Sequence, residues 1–229
     1  MVSALAFGAT AVATLFAQAT LARATRRHSA HEGAWAFALF VFALASAALA
    51  IGVTTGWDTG TFRAFYLLGA ILSVPWLALG TVYLLLGRTV GRRVQWCLVG
   101  FSGLAVGTML SCSVTGPISG TTIPVGHEVL PVLPRVLAAA GSGIGAIVIF
   151  VGAVISAVRF ARRPGPEGRR RALANVLIAL GTLILSGGGT VQGVVGKDEA
   201  FALSLALGIS VIYAGFLVAA RAAPATVSD

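Results

Sequence analysis

Seven long apolar runs divide this chain, at roughly Val2–Leu21, Ala34–Val53, Phe62–Leu86, Val94–Val114, Val136–Val158, Ala172–Val191 and Ala200–Ala220. A helix of about 20 residues, rising about 1.5 Å per residue, crosses a hydrocarbon core of about 30 Å. Every run reaches that length. Strands of a membrane barrel would alternate apolar and polar positions, and that alternation is missing. The runs are apolar on every side, as helices surrounded by lipid must be. The pattern predicts an all-α polytopic membrane protein, a seven-transmembrane-helix bundle forming one domain over residues 1–221.

The polar residues between the runs set its orientation. Alternate loops hold Arg23, Arg26, Arg27, Arg88, Arg92, Arg93, Arg159, Arg162, Arg163, Arg169, Arg170 and Arg171, and Arg221 follows the last run, so 13 of the 16 basic residues lie on one side. The other side holds Arg63, Arg135 and Lys197, together with the acids Asp58, Glu128, Asp198 and Glu199. The positive-inside rule assigns the Arg-rich loops to the cytoplasm, with the N-terminus outside and the C-terminus cytoplasmic. No Lys or Arg precedes the first run, whereas a cleaved signal peptide carries its positive charge in front. The first run is therefore read as a retained helix.

Residues 115–135 contain Pro117, Pro124, Pro131 and Pro134. Prolines at this density oppose a continuous helix, which predicts an extracellular cap with a short helix around Val125–Leu130. Pro164, Gly165, Pro166 and Gly168 make Arg159–Arg171 a turn between two basic helix ends. Residues 222–229 read as a disordered cytoplasmic tail. The spacing of Phe62 and Gly69 recurs in Phe201 and Gly208, with an Asp shortly before each pair, and this permits a 3+1+3 parallel repeat.

Composition agrees with the pattern. The chain is 57% hydrophobic and 10% charged, with a mean hydropathy of +0.94. Soluble domains carry about 25% charged residues. A net charge of +9 would point to nucleic acid in a soluble protein, but here the charges cluster between membrane segments, and no nucleic-acid partner is expected. Membrane lipids are the expected partners, with anionic lipid at the Arg clusters. One Lys against 15 Arg, in an Ala-, Gly- and Val-rich chain, resembles a high-GC bacterial sequence. The expected location is a bacterial inner (plasma) membrane.

Candidate chemistry is narrowed by exclusion. The middle of each run lacks Asp, Glu, Lys, Arg and His. Proton relays and ion paths need such groups at membrane depth, so proton-coupled mechanisms are not expected. Seven helices in this orientation resemble the retinal proteins, but the chromophore lysine is missing from the last helix, because Lys197 precedes it. Haem held between helices needs facing histidines, and His28, His31 and His127 all lie in loops. No HExxH or Cys/His spacing indicates a metal, and no GxSxG, P-loop or dinucleotide fingerprint indicates a soluble-type enzyme. Cys97 and Cys112 would lie roughly 22 Å apart along one helix, too far to pair. No cofactor is expected.

Uncharged polarity remains. It comprises Gln18; Ser102, Thr108, Ser111, Cys112 and Ser113; Asn175, Thr182, Ser186, Thr190 and Gln192; and Ser204, Ser210 and Tyr213. These residues either bond between helices or line an outward-facing cavity. The candidate ligand-binding set is Asp58, Arg63, Trp76, Ser111, His127, Glu128, Ser186, Gln192, Glu199 and Tyr213. Pro75 and the run Gly187, Gly188 and Gly189 are candidate kinks or hinges. Gly141, Ser142, Gly143, Gly145 and Ala146 form small-xxx-small patterns in the fifth run, a candidate surface for a protein partner or a second copy. The expected function is binding or transport of a small uncharged or lipidic ligand. The alternatives are an accessory subunit of a membrane complex and a membrane-embedded lipid-modifying enzyme using His127 and Glu128.

Overall fold

The computed structural model describes residues 1–116, 118, 120–195 and 198–221, with backbone alone for 190–195 and 221. Pro117, Lys197, residues 222–229 and the side chains of Thr190 and Gln192 therefore lie outside the described residues. Among the described residues every regular element is a helix, without strands. Helix α1 (Val2–Arg27) ends at His28 in the left-handed region, φ 49°, and α2 (Ala30–Thr55) ends at Gly56, φ 95°. A left-handed residue closes a helix end by letting the chain turn away. Asp58 caps the short helix α3 (Thr59–Phe65), where its carboxylate accepts from the amides of Gly60 at 2.7 Å and Thr61 at 3.1 Å.

The Thr61 hydroxyl, followed by these amides, holds the Asp58 carboxyl below its ordinary proton affinity. The folded state therefore prefers the charged form. Its stabilising effect is present above the ordinary carboxyl pKa and fades as pH falls through the depressed value. Asp58→Ala should lower the unfolding temperature at neutral pH, and the difference from the parent protein should shrink in acid, as thermal melts at both pH values would show.

A π-helical segment, Tyr66–Ser73, joins α3 to α4 (Val74–Ser111). Pro75 follows it as the second residue of α4. Pro75 has no N–H to give, so the carbonyl five residues back, Ala70, lacks its π-helical donor. The Ser142 hydroxyl, arriving from α6 (Val132–Ala161), donates to that carbonyl. Gly141 brings α6 close enough, since a Cβ on it would sit 3.1 Å from the Ile71 carbonyl oxygen and 3.2 Å from Pro75. Ser142→Ala should destabilise the bundle by about 1 kcal/mol, readable as an earlier midpoint in denaturing-detergent titration.

Together α3, the π segment and α4 form one helical run of 53 residues, Thr59–Ser111, broken at Gly87. Straight, that would be roughly 80 Å long. It is not straight, because Gly87 adopts φ 81°, ψ 178°, and the chain reverses there. Three contacts join the two limbs: Arg63 Nη2 donates to the Cys112 carbonyl (2.6 Å), Trp76 Nε1 to Ser102 Oγ (3.1 Å) and the Tyr83 hydroxyl to Gln95 Oε1. Each pairs a residue before Gly87 with one at a comparable distance after it. The limbs lie antiparallel, and the Tyr83 ring covers Gly91.

The remaining elements are the short helix α5 (Gly126–Val129), α7 (Pro166–Val195) and α8 (Asp198–Arg221). Packing closes a ring: α1 on α2, α2 on α4, α4 on α6, α6 on α7, α7 on α8 and α8 back on α1. In α2, 67% of the apolar window is buried, against 22–39% in the other long helices, so α2 is the central element. Alanines are frequent inside the ring, beside larger residues such as Leu39, Leu49 and Phe62, and many large side chains face outward. Ala6, Ala9, Ala13 and Ala105 are fully buried, whereas Leu110, Ile144 and Ile147 are more than 60% exposed. Water would not tolerate that surface, but lipid does, and small residues let helices pack without a hydrophobic driving force between them. Among the described residues, six helices are long and apolar enough to cross a membrane. This is a multi-pass membrane protein.

Candidate functional site

The bundle has two chemically distinct ends. At one, the chain reversal at Gly87 meets the C-terminal end of α1 and the start of α2. There Arg23 forms an ion pair with Glu32 (Nη2 to Oε1, 2.9 Å), and Ser29 Oγ donates to Glu32 Oε2 at 2.8 Å. The Arg23 guanidinium lies over Phe216 of α8, 4.4 Å from the ring centroid. Glu32 is 1% exposed, and Arg23 Nη1 is buried without a partner among the described residues. A cavity of about 540 Å³ opens at this end, lined by Ala30, Tyr83, Arg88, Thr89, Arg92, Arg93 and Trp96. The sequence pattern did not single out Glu32, and it marked these arginines only as topology signals. The signal available was their spacing: Thr89, Arg92, Arg93 and Trp96 fall at i, i+3, i+4 and i+7, one face of a helix.

At the opposite end the cap folds down onto the helices. Trp57 N donates to the Gly120 carbonyl at 2.9 Å, and Ile123 N to Asp198 Oδ2 at 2.9 Å. Ile123, Val129 and Leu130 are each at most 3% exposed and join Trp57, Phe62, Ile71 and Leu137 in one apolar cluster. Beside this plug a groove of about 530 Å³ runs between the second limb of α4 and the start of α6. Gly103, Leu104, Gly107, Thr108, Ser111, Cys112, Pro131, Leu133 and Pro134 line it. A Cβ at Gly103 or Gly107 would meet nothing within 4 Å, so their lack of side chains is what opens it. The Ser111 hydroxyl donates to the Gly107 carbonyl, and the wall carries no charged side chain.

No family model matches this chain, and neither does any curated protein or solved structure.

The candidate residues named from sequence do not form one constellation. Asp58 is an N-cap, and Arg63 ties the outer ends of the two limbs, with its Nε buried and unpartnered. Ser111 lines the groove. His127 and Glu128 are exposed on α5, and Glu199 is exposed at the start of α8. Trp76 lies within the bundle, bonded to Ser102 and edge-on to Phe37 at 4.7 Å. Ser186 lies on α7, and Tyr213 belongs to the Arg-rich half, stacked among Phe16 and Phe216 near Arg23. Helix α7 runs unbroken through Gly187, Gly188 and Gly189, and a Cβ on Gly188 would strike Ser204 of α8. In α6, Gly141 and Gly145 face the π segment and Pro75, while Gly143 faces open space. Both cysteines are free, and among the described residues no three His, Cys, Asp or Glu side chains gather as metal ligands would.

Proposed function

We propose that this is a seven-span plasma-membrane protein, Arg-rich face in the cytoplasm, that binds an uncharged lipidic ligand in the groove between the second limb of α4 and α6. The observation that carries the reading is that groove. It opens sideways on the lipid-facing surface, it is floored by glycine, and it offers hydroxyls at one end of an otherwise apolar wall. Such a site suits an amphiphile that arrives from within the leaflet.

Seven crossings follow from reading Thr59–Ser111 as two spans hinged at Gly87, since roughly 80 Å of helix is more than twice the thickness of a bilayer core. A parallel 3+1+3 repeat draws support from Gly69 and Gly208, both at close helix approaches. Orientation is tested with Thr122→Cys and Glu167→Cys in a background lacking Cys97 and Cys112. A membrane-impermeant maleimide applied to intact cells should label position 122 and spare 167.

The ligand is tested with a photo-crosslinking residue at Leu104. The expected adduct is a neutral lipid mass, several-fold less abundant in Gly107→Leu, where the floor is filled. An adduct no stronger than that from a probe at Ile147, on the convex surface, would remove the proposal. The same experiment addresses the accessory-subunit reading. The open positions Gly100, Gly103 and Gly107 on one exposed face favour a partner helix, and a protein adduct would support it over lipid.

A further inference from the structure

We infer that the cavity beside Gly87 is a binding site for the phosphate headgroup of an anionic membrane lipid. It lies at the opposite end from the groove and does not depend on it.

The charge is concentrated by geometry. Arg88 and Arg92 are one turn apart, and Thr89, Arg92, Arg93 and Trp96 share a helix face. All of them line one cavity. Three guanidinium groups within two turns repel one another unless an anion lies among them. Among the described residues no carboxylate is in ion-pair distance of Arg88, Arg92 or Arg93, and the nearby acid, Glu32, is buried and committed to Arg23 and Ser29. No described residue neutralises this cluster.

The opposite wall adds a second source of positive potential. Ala30 is the first residue of α2, a helix of 26 residues, and its N-cap Ser29 makes no side-chain cap. The Ser29 hydroxyl goes to Glu32 instead. The first amides of α2 therefore lack a side-chain acceptor, and the acid in that first turn, Glu32, is already neutralised by Arg23, so the helix end still presents partial positive charge to the cavity. Forked guanidinium groups facing a helix N-terminus are the combination that holds a tetrahedral oxyanion.

Two aromatic residues select a lipid over a free anion. Trp96 is 69% exposed, and an exposed tryptophan flanking a basic cluster belongs at the bilayer boundary. Tyr83 lies flat on Gly91 with its hydroxyl on Gln95, which walls the cavity on its membrane side. A ligand with its phosphate among the arginines and its chains past Trp96 satisfies both halves of the site. Basic pockets on this side of a membrane have the chemistry for anionic headgroups.

The test uses full-length protein in neutral-detergent micelles and reads Trp96 fluorescence against a Trp96→Phe blank while phosphatidylglycerol is added. The expected response is saturable, absent with phosphatidylcholine and not displaced by inorganic phosphate. Arg92→Gln with Arg93→Gln should weaken it roughly thirtyfold, taking the usual worth of a basic residue near an anionic surface. Thr89→Phe, which narrows the cavity, removes no charge and adds no tryptophan, should weaken it as well, so a misfolded arginine variant cannot mimic the result. Arg162→Gln with Arg163→Gln removes equal charge at the same end but outside the cavity and should weaken binding far less. Equal losses in the two arginine pairs would mean diffuse surface attraction and would overturn the site. Displacement by inorganic phosphate at the same concentration as lipid would overturn the assignment to a lipid.

Discussion

Glu32→Ala is expected to destabilise the bundle by about 2–4 kcal/mol, a larger loss than any other single carboxylate here should cause. The Glu32 side chain is 2% exposed and that of Arg23 is 28% exposed. Two nitrogens of Arg23 share one carboxylate oxygen, Nη2 at 2.9 Å and Nε at 3.1 Å. Ser29 occupies the other oxygen. Deleting the carboxylate leaves a mostly buried cation whose remaining stabilisation is the Phe216 ring. Removing one member of a buried pair costs about 3–5 kcal/mol in general, and the partial exposure of Arg23 reduces that. The double change Arg23→Met with Glu32→Gln should be milder than Glu32→Ala, because it strands no charge. Denaturing-detergent titrations of the variants provide the check. Wild-type stability for Glu32→Ala would show that the pair contributes nothing.

The second large effect concerns α7 and α8, which approach through glycine. A Cβ on Gly181 would lie 2.5 Å from Ile212 Cγ1, 2.8 Å from the Gly208 carbonyl oxygen and 3.0 Å from the Ile212 amide nitrogen. Two of these three neighbours are backbone, so relief requires the helices to separate. Gly208 faces Gly181 in return, and Gly215 would meet the Ala174 carbonyl at 2.8 Å. Gly181→Ala should therefore cost about 1–3 kcal/mol as overpacking, and Gly181→Leu should prevent the hairpin from forming. Gly187 lies on the same helix, and a Cβ there would meet nothing within 4 Å. Gly187→Ala should be neutral or stabilising by up to about 1 kcal/mol through helix propensity. Opposite signs for one substitution six residues apart would locate the interface, and equal effects would refute the packing account.

The contrast between these glycines shows where the sequence is silent. Gly187, Gly188 and Gly189 are identical neighbours, yet only Gly188 contacts another helix among the described side chains. In a chain so rich in Ala and Gly, no apolar periodicity distinguishes the inner face from the outer, because both the buried and the exposed positions are apolar. Pro75 was legible as a kink. Its consequence, a π segment whose free carbonyl is satisfied by Ser142, needed the position of α6. Ser111 was a candidate for the right region by polarity alone, while Tyr213 fell in the other half of the bundle because depth in the membrane depends on where each helix begins.

Hydropathy and the proline-rich stretch are local properties, and by themselves they determined the membrane class, the helical character and the position of the cap. Charge distribution determined which loops belong together, since the Arg-rich segments do meet at one end. Tertiary structure alone decided which of those charges are spent and which are free. Glu32 is consumed by Arg23, while Arg88, Arg92 and Arg93 face a cavity that no acid lines among the described residues. That division depends on how the reversal at Gly87 sets the second limb against the start of α2, a contact between residues more than fifty positions apart that no local pattern encodes.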